Sequence, residues 1–252
     1  RRRQRFYCRV SRRKSFGMKK RTSWGHLSFA KIIAGLMEFF GVRMLVGLIL
    51  AAGALIFFGW LASEIFEGET KIFDEAVRAA AMQTASPRLT QLMVFFSFIG
   101  SVIFLFPLGI VAVIIFLRLK WKRAAVLFAL TMAGEIVLDL TLKGFFRRPR
   151  PEALYGYALP LSFSFPSGHA LGSFCFYGIL AWLVAARLKN PAGKTLVWVL
   201  ASALILSIGF SRIYLGVHYP SDIIGGYAAA LVWTVTIALG DFFFNRRNLK
   251  NN

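Results

Sequence analysis

The sequence predicts an all-α, polytopic membrane protein with six transmembrane helices in one bundle and short amphipathic helices beside it. Three observations predict this. The chain is 57% hydrophobic over 252 residues, above the usual share for a soluble domain. Several of its apolar runs approach or exceed the ~20 residues that a helix needs to cross a bilayer. Its formal net charge of +20 is gathered at the ends and in the loops, outside those runs.

Residues 1–26 form a basic tail without helical periodicity. Residues 1–31 hold twelve of the 31 Lys and Arg and no Asp or Glu. Such a run is read first as an orientation signal that keeps the tail cytoplasmic. Anionic lipid is its candidate partner; nucleic acid is not expected. Cys8 in this tail and Cys175 in an apolar run make no disulfide framework. The chain opens on Arg1 rather than Met, which leaves room for residues upstream.

One membrane domain is expected over 27–244. Leu27 to Phe40 is an amphipathic entry to the first span, Val42 to Ala62, which is too long for an ordinary signal peptide. Ile72, Phe73, Ala76, Val77 and Ala80 fall at helical spacing, so a short amphipathic helix is expected there, ending before Ser86-Pro87. The remaining spans are Phe95 to Leu117, Ala124 to Leu142, Ala170 to Ala186, Leu196 to Phe210 and Ile223 to Phe244. A second cytoplasmic tail, 245–252, closes the chain.

Six spans place both termini on one side. The short basic loops 118–123 and 187–194 fall on that side too, which marks it as cytoplasmic. The loop 143–150 breaks the rule, with Lys143, Arg147, Arg148 and Arg150 on the outer side. An anionic substrate explains that charge economically. Arg147 and Arg148 are read as solvated or headgroup contacts.

Three polar stretches meet at the outer ends of spans three to six. Ser167 is placed to cap the fourth span, which leaves free N–H groups near Gly168 and His169 for an anion. Gly168 allows close backbone approach. Arginine forks suit phosphate oxygens, and Lys143 adds a point charge. His218 and Asp222 are four residues apart, so Asp222 can hold one ring nitrogen and leave the other as a nucleophile. His169, from another helix, can protonate the leaving oxygen and then activate water. The sequence has no HExxH, no Cys/His metal spacing and no carboxylate cluster, so neither a metal nor a cofactor is expected. Glu135 and Asp139 lie inside the third span, four apart, with Lys143 one turn on; ionisable groups there tend to face the bundle interior. They are read as an internal packing pair, or with Asp139 aiming Lys143.

Lys143 with Arg150-Pro151, Pro166-Ser167-Gly168-His169, and Ser211-Arg212 with His218 and Asp222 resemble the signature of the type 2 phosphatidic acid phosphatase superfamily. Their order and spacing match that pattern over roughly residues 40–244, outside the basic tail. The resemblance implies a phosphohistidine on His218, with His169 as acid. It also implies phosphate held by Lys143, Arg150 and Arg212, with Ser167 and Gly168 assisting. The activity expected from it is hydrolysis of a lipid phosphate or lipid pyrophosphate on the extracytoplasmic face of a bacterial inner membrane. Phosphatidic acid, phosphatidylglycerol phosphate, undecaprenyl pyrophosphate and lipid A phosphates all stay open as substrates. A phosphatase for a soluble ester ranks second, an anion or lipid transporter lower, and a vanadium haloperoxidase or a non-catalytic lipid binder lower still. Oligomeric state is not legible.

Overall fold

A computed structural model describes residues 41–250 apart from residue 153. The basic tail 1–26, with Cys8 and His26, and the amphipathic entry 27–40 lie outside the described residues. Among the described residues the fold is entirely helical. The helices are α1 (Val42–Glu67), α2 (Lys71–Gln83), α3 (Pro87–Ile99), α4 (Val102–Arg118), α5 (Lys122–Phe146), α6 (Gly168–Ala185), α7 (Pro191–Tyr214) and α8 (Pro220–Lys250).

Five of these helices are long and apolar enough to cross a membrane, and α3 with α4 makes a sixth span if that bent pair is one crossing. The expected second span, Phe95 to Leu117, is therefore broken. It begins earlier, at Pro87, and bends by 48° between Ile99 and Val102. The cause is local. Ser101 starts a new helix by accepting from Phe104 N at 3.3 Å, while its own hydroxyl donates to the Phe98 carbonyl at 2.7 Å. Ile208 of α7 presses on Gly100 so closely that a Cβ there would lie 2.3 Å from it.

The expected ends of spans three, five and six are extended by several residues, because polar end residues continue the helical turns. Pro191 and Pro220 sit in first turns, where a missing N–H costs nothing. Asn190 caps α7 by accepting from Ala192 N at 3.0 Å. The backbone of α8 stays helical to Lys250, so the described part of the expected tail 245–252 continues the last helix beyond its apolar span, which ends at Phe244.

Helix α6 is the centre of the bundle. It packs on α5, α7 and α8, while α1 packs on α8 and α3 on α7. Small residues are frequent among its buried positions, Ala170, Gly172, Ser173 and Cys175 beside the larger Leu171 and Phe176. Small residues let helices approach closely where lipid offers no hydrophobic driving force. The outer helices behave oppositely. Ile49, Leu55 and Ile56 of α1 and Ile103 and Phe106 of α4 are exposed, as lipid-facing side chains should be.

Helix α2 forms where periodicity predicts, but with another face inward. Ile72 and Phe73 point outward. Asp74 and Ala81 are buried, and Val77 packs with Ala81, Ala170 and Ile213. A carboxylate can take the inner face because it meets polar partners at the bundle's end.

Candidate active site

The site forms where α5 and α7 end and α6 and α8 begin. Arg147 closes α5 in the left-handed region, φ 46°, and starts the long loop to α6. Three backbone hydrogen bonds close that loop on itself and hold it and the α6 entry against the α7–α8 turn and the start of α8. Ser164 N donates to Arg148 O at 2.8 Å, Leu154 N to Leu215 O at 3.1 Å, and Ser167 N to Asp222 O at 3.0 Å. Gly216 makes the turn between α7 and α8 at φ +75°, with Leu154 so close that a Cβ would meet it at 2.5 Å.

His218 lies in that turn, 1% exposed. Its Nδ1 faces Asp222 Oδ2 at 3.3 Å, and its Nε2 faces Arg150 Nη1 at 2.9 Å. Burial, with Arg212 close by, lowers Arg150 to about 10, which still leaves a cation at neutral pH. A guanidinium only donates, so Nε2 is the bare nitrogen and Nδ1 carries the proton toward Asp222. Burial pushes His218 down to about 4, against the opposing pull of Asp222. The ring is neutral at pH 7, with its free lone pair on the Arg150 side.

Asp222 is held from several directions. Its Oδ2 accepts from Ser164 Oγ and, at 2.8 Å, from Tyr219 N. Its Oδ1 accepts from Arg148 Nη1 at 2.6 Å. Arg148 also donates to Ser221 Oγ at 2.8 Å and to Asp74 Oδ2 at 2.8 Å, and its guanidinium lies 4.2 Å over the Tyr219 ring. The sequence expectation of a solvated Arg148 is thus corrected: it is the bridge between two buried carboxylates. Asp74, Ser164 and Arg148 are the residues that sequence reasoning missed. Only an acid within a mostly apolar amphipathic helix hinted at Asp74.

His169 sits in the first turn of α6, partly exposed. Ser167 caps this helix by accepting from Ala170 N at 3.4 Å. Arg212, His218, Lys143 and Arg150 are all near enough to act on the His169 ring electrostatically. Lys143 Nζ donates to Asp139 Oδ2 at 2.8 Å. This pair lies against Gly168, where a Cβ would come within 2.9 Å of both Asp139 Oδ1 and Lys143 Nζ.

Arg212 is 1% exposed. Its Nη1 donates to Ser97 Oγ and, at 3.3 Å, to Tyr157 Oη. Its Nε is buried with no partner among the described residues, a donor that an anion's oxygen would satisfy. All eight residues expected at the site, His218, His169, Asp222, Lys143, Arg150, Ser167, Gly168 and Arg212, come together here. Arg150 also donates to the Ser162 and Phe163 carbonyls at 2.6 and 3.1 Å, so the loop holds it over His218 Nε2.

Comparison with known proteins points the same way. Residues 124–246 match the family model described as the PAP2 superfamily. The chain is 32% identical over 184 residues to phosphatidylglycerophosphatase B of Bacillus subtilis, covering 70% of this chain and 87% of that one. It superposes on the crystal structure of a transmembrane PAP2-type phosphatidylglycerolphosphate phosphatase from Bacillus subtilis with a TM-score of 0.72 and 28% identity, over 77% of this chain and 96% of that one. The crystal structure of Aquifex aeolicus LpxE is similar with a TM-score of 0.51 and 28% identity, over 66% and 94% of the two chains.

Proposed function

The chain belongs to the PAP2 superfamily, and on that premise we propose that it is an integral-membrane lipid phosphatase that works through a phosphohistidine on His218. The observation that carries the mechanism is the His218 ring, with Nδ1 facing Asp222 and Nε2 bare toward Arg150.

Arg150 moves from Nε2 onto a phosphate oxygen as substrate enters. Lys143, Arg212 and the free N–H groups at the start of α6 take the other oxygens. The Nε2 lone pair attacks phosphorus, and the bond from phosphorus to the leaving oxygen breaks. His169 gives that oxygen its proton, and the lipid alcohol departs. Neutral His169 then takes a proton from water as it attacks phosphorus. The P–N bond breaks, inorganic phosphate leaves and His218 is restored. Asp222 holds the Nδ1 proton throughout and offsets the charge that develops on the ring.

Phosphatidylglycerol phosphate is the favoured substrate among the four lipid classes, because a relative named for it shares most of its length with this chain. The basic loops 118–123 and 187–194 support a site on the extracytoplasmic side, with both tails cytoplasmic; a bacterial inner membrane is the setting that suits its bacterial relatives. The test is phosphate release by detergent-purified protein with excess chelator. The panel holds phosphatidylglycerol phosphate, phosphatidic acid, undecaprenyl pyrophosphate and a soluble ester. Release from a lipid that persists in chelator and vanishes in His218→Ala is expected. Release from the soluble ester alone would overturn the lipid assignment.

A further inference from the structure

A cavity of about 370 Å³ lies between α4, α5 and α6. It is lined from Gly168 at the candidate site, through Gly172 and Glu135, to Phe128. Its other walls are apolar, and Ile110, Ile114 and Ile136 on its rim are exposed on the lipid-facing surface. The cavity therefore joins the phosphate site to the hydrocarbon layer. A lipid with its phosphate beside Lys143 can lay a chain into it.

Glu135 is out of place in such a wall. It is 7% exposed, lines the cavity, and makes no hydrogen bond or ion pair among the described residues. Gly172 faces it so closely that a Cβ would come within 3.1 Å of Oε1, so the glycine keeps room around the carboxyl. A carboxyl held without a partner in an apolar wall is costly and marks a ligand or pathway. Glu135, Asp139 and Lys143 follow each other at four-residue steps on α5. Along α5, Glu135 lies eight residues, about 12 Å, from Lys143 toward the membrane interior. The Lys143 side chain reaches back, so its Nζ lies at Gly168 while Glu135 Oε1 lies at Gly172, one turn further along α6.

We infer that Glu135 hydrogen-bonds the acyl-ester region of a glycerolipid substrate whose chain lies in this cavity. This rests on the lipid-phosphatase reading above. A glycerolipid carries ester carbonyls below its phosphate, on the way to the chains. A carboxylic acid can donate to such a carbonyl without bringing a charge into the membrane. A polyprenyl phosphate carries no such group. Glu135 is thus a specificity residue for ester-linked glycerolipids, one turn of α6 deeper than the phosphate-facing Lys143.

The experiment compares phosphatidylglycerol phosphate with its dialkyl-ether counterpart of equal chain length, in mixed micelles, for the wild type, Glu135→Leu and Glu135→Gln. One hydrogen bond is worth on the order of tenfold in kcat/KM. The wild type is expected to prefer the diacyl lipid by about that factor. The Leu variant brings the ratio near one, and the Gln variant, which can still donate, keeps most of it. Glu135→Met takes the place of the Leu variant if the latter does not purify folded. Rapid turnover of both lipids by the wild type at a ratio of one overturns the inference and leaves the phosphatase reading standing. A ratio that persists in the Leu or Met variant does the same. No release from either lipid by the folded wild type overturns both.

Discussion

Asp74 and Ser221 are joined twice: the Asp74 carboxylate accepts from Ser221 N at 2.9 Å and from Ser221 Oγ at 2.7 Å. Asp74 belongs to the short helix α2, and Ser221 to the first turn of α8, beside Asp222. The same carboxylate accepts from Arg148, which holds the other side of Asp222. The orientation of His218 therefore depends on a helix that lies outside all three sequence motifs.

Asp74→Asn removes the charge that Arg148 and Ser221 share while keeping the shape. Asp222 then loses part of its support, and the His218 ring loses its aim. A small misplacement of a reacting group can cost on the order of a hundredfold in rate. The expected result is a fall in kcat of about ten- to a hundredfold with KM little changed, read from steady-state phosphate release. A lower Tm with unchanged kcat would assign Asp74 to the fold alone.

Gly168→Ala tests the packing of Lys143. The new methyl would meet Asp139 Oδ1 and Lys143 Nζ, both 2.9 Å from the Cβ position. The Asp139–Lys143 pair must then shift away from the proposed phosphate site. Loss of about a hundredfold in kcat/KM is expected, with the folded bundle kept, as judged by circular dichroism and elution volume. Near-normal activity would show that Lys143 can reach phosphate from elsewhere.

Burial lowers His218 to about 4 from an ordinary value near 6.5. The neutral ring is the form that the proposed nucleophile requires and also the form that the fold favours. Its contribution to stability is complete above pH 6.5 and is lost as pH falls through about 4. The acid limb of kcat/KM, corrected for ionisation of the substrate phosphate, is therefore expected close to pH 4. An imidazole resonance assigned to His218 by its loss in His218→Asn that titrates near pH 6.5 would contradict this placement.

His169→Gln separates the two half-reactions. With an activated phosphate ester the leaving group needs no proton, so phosphoryl transfer to His218 continues. Water attack then lacks its base, and this step slows by on the order of 10²–10⁴-fold. An acid-labile, base-stable phosphoenzyme should accumulate and vanish in the double variant with His218→Ala. Absence of any trapped phosphate in a folded His169→Gln protein would argue against a covalent intermediate.

Much of the site was legible because its residues are polar and clustered between apolar runs. His169, His218, Lys143, Arg150 and Arg212 sit in three short stretches, and a membrane chain tolerates few such groups without a use. Arg148 was misread, because two adjacent arginines look alike in one dimension. Arg147 is exposed and donates to the Gly144 carbonyl at 2.9 Å, whereas Arg148 turns inward between Asp74 and Asp222. Only the αL turn at Arg147 separates their directions.

The amino-acid sequence by itself determined the order of the spans, the end of the bundle that holds the polar stretches, and the pairing of His218 with Asp222. These follow from hydropathy, charge and spacing, which are local along the chain. The tertiary structure alone decided the break between α3 and α4, the inward turn of Asp74, the seat of Arg150 on Nε2, and the bare carboxyl of Glu135 in an apolar cavity. Each depends on which distant side chain presses on which helix. Ile208 meets Gly100, Ser221 meets Asp74 and Gly172 leaves space at Glu135 because close packing joins residues that spacing along the chain does not relate.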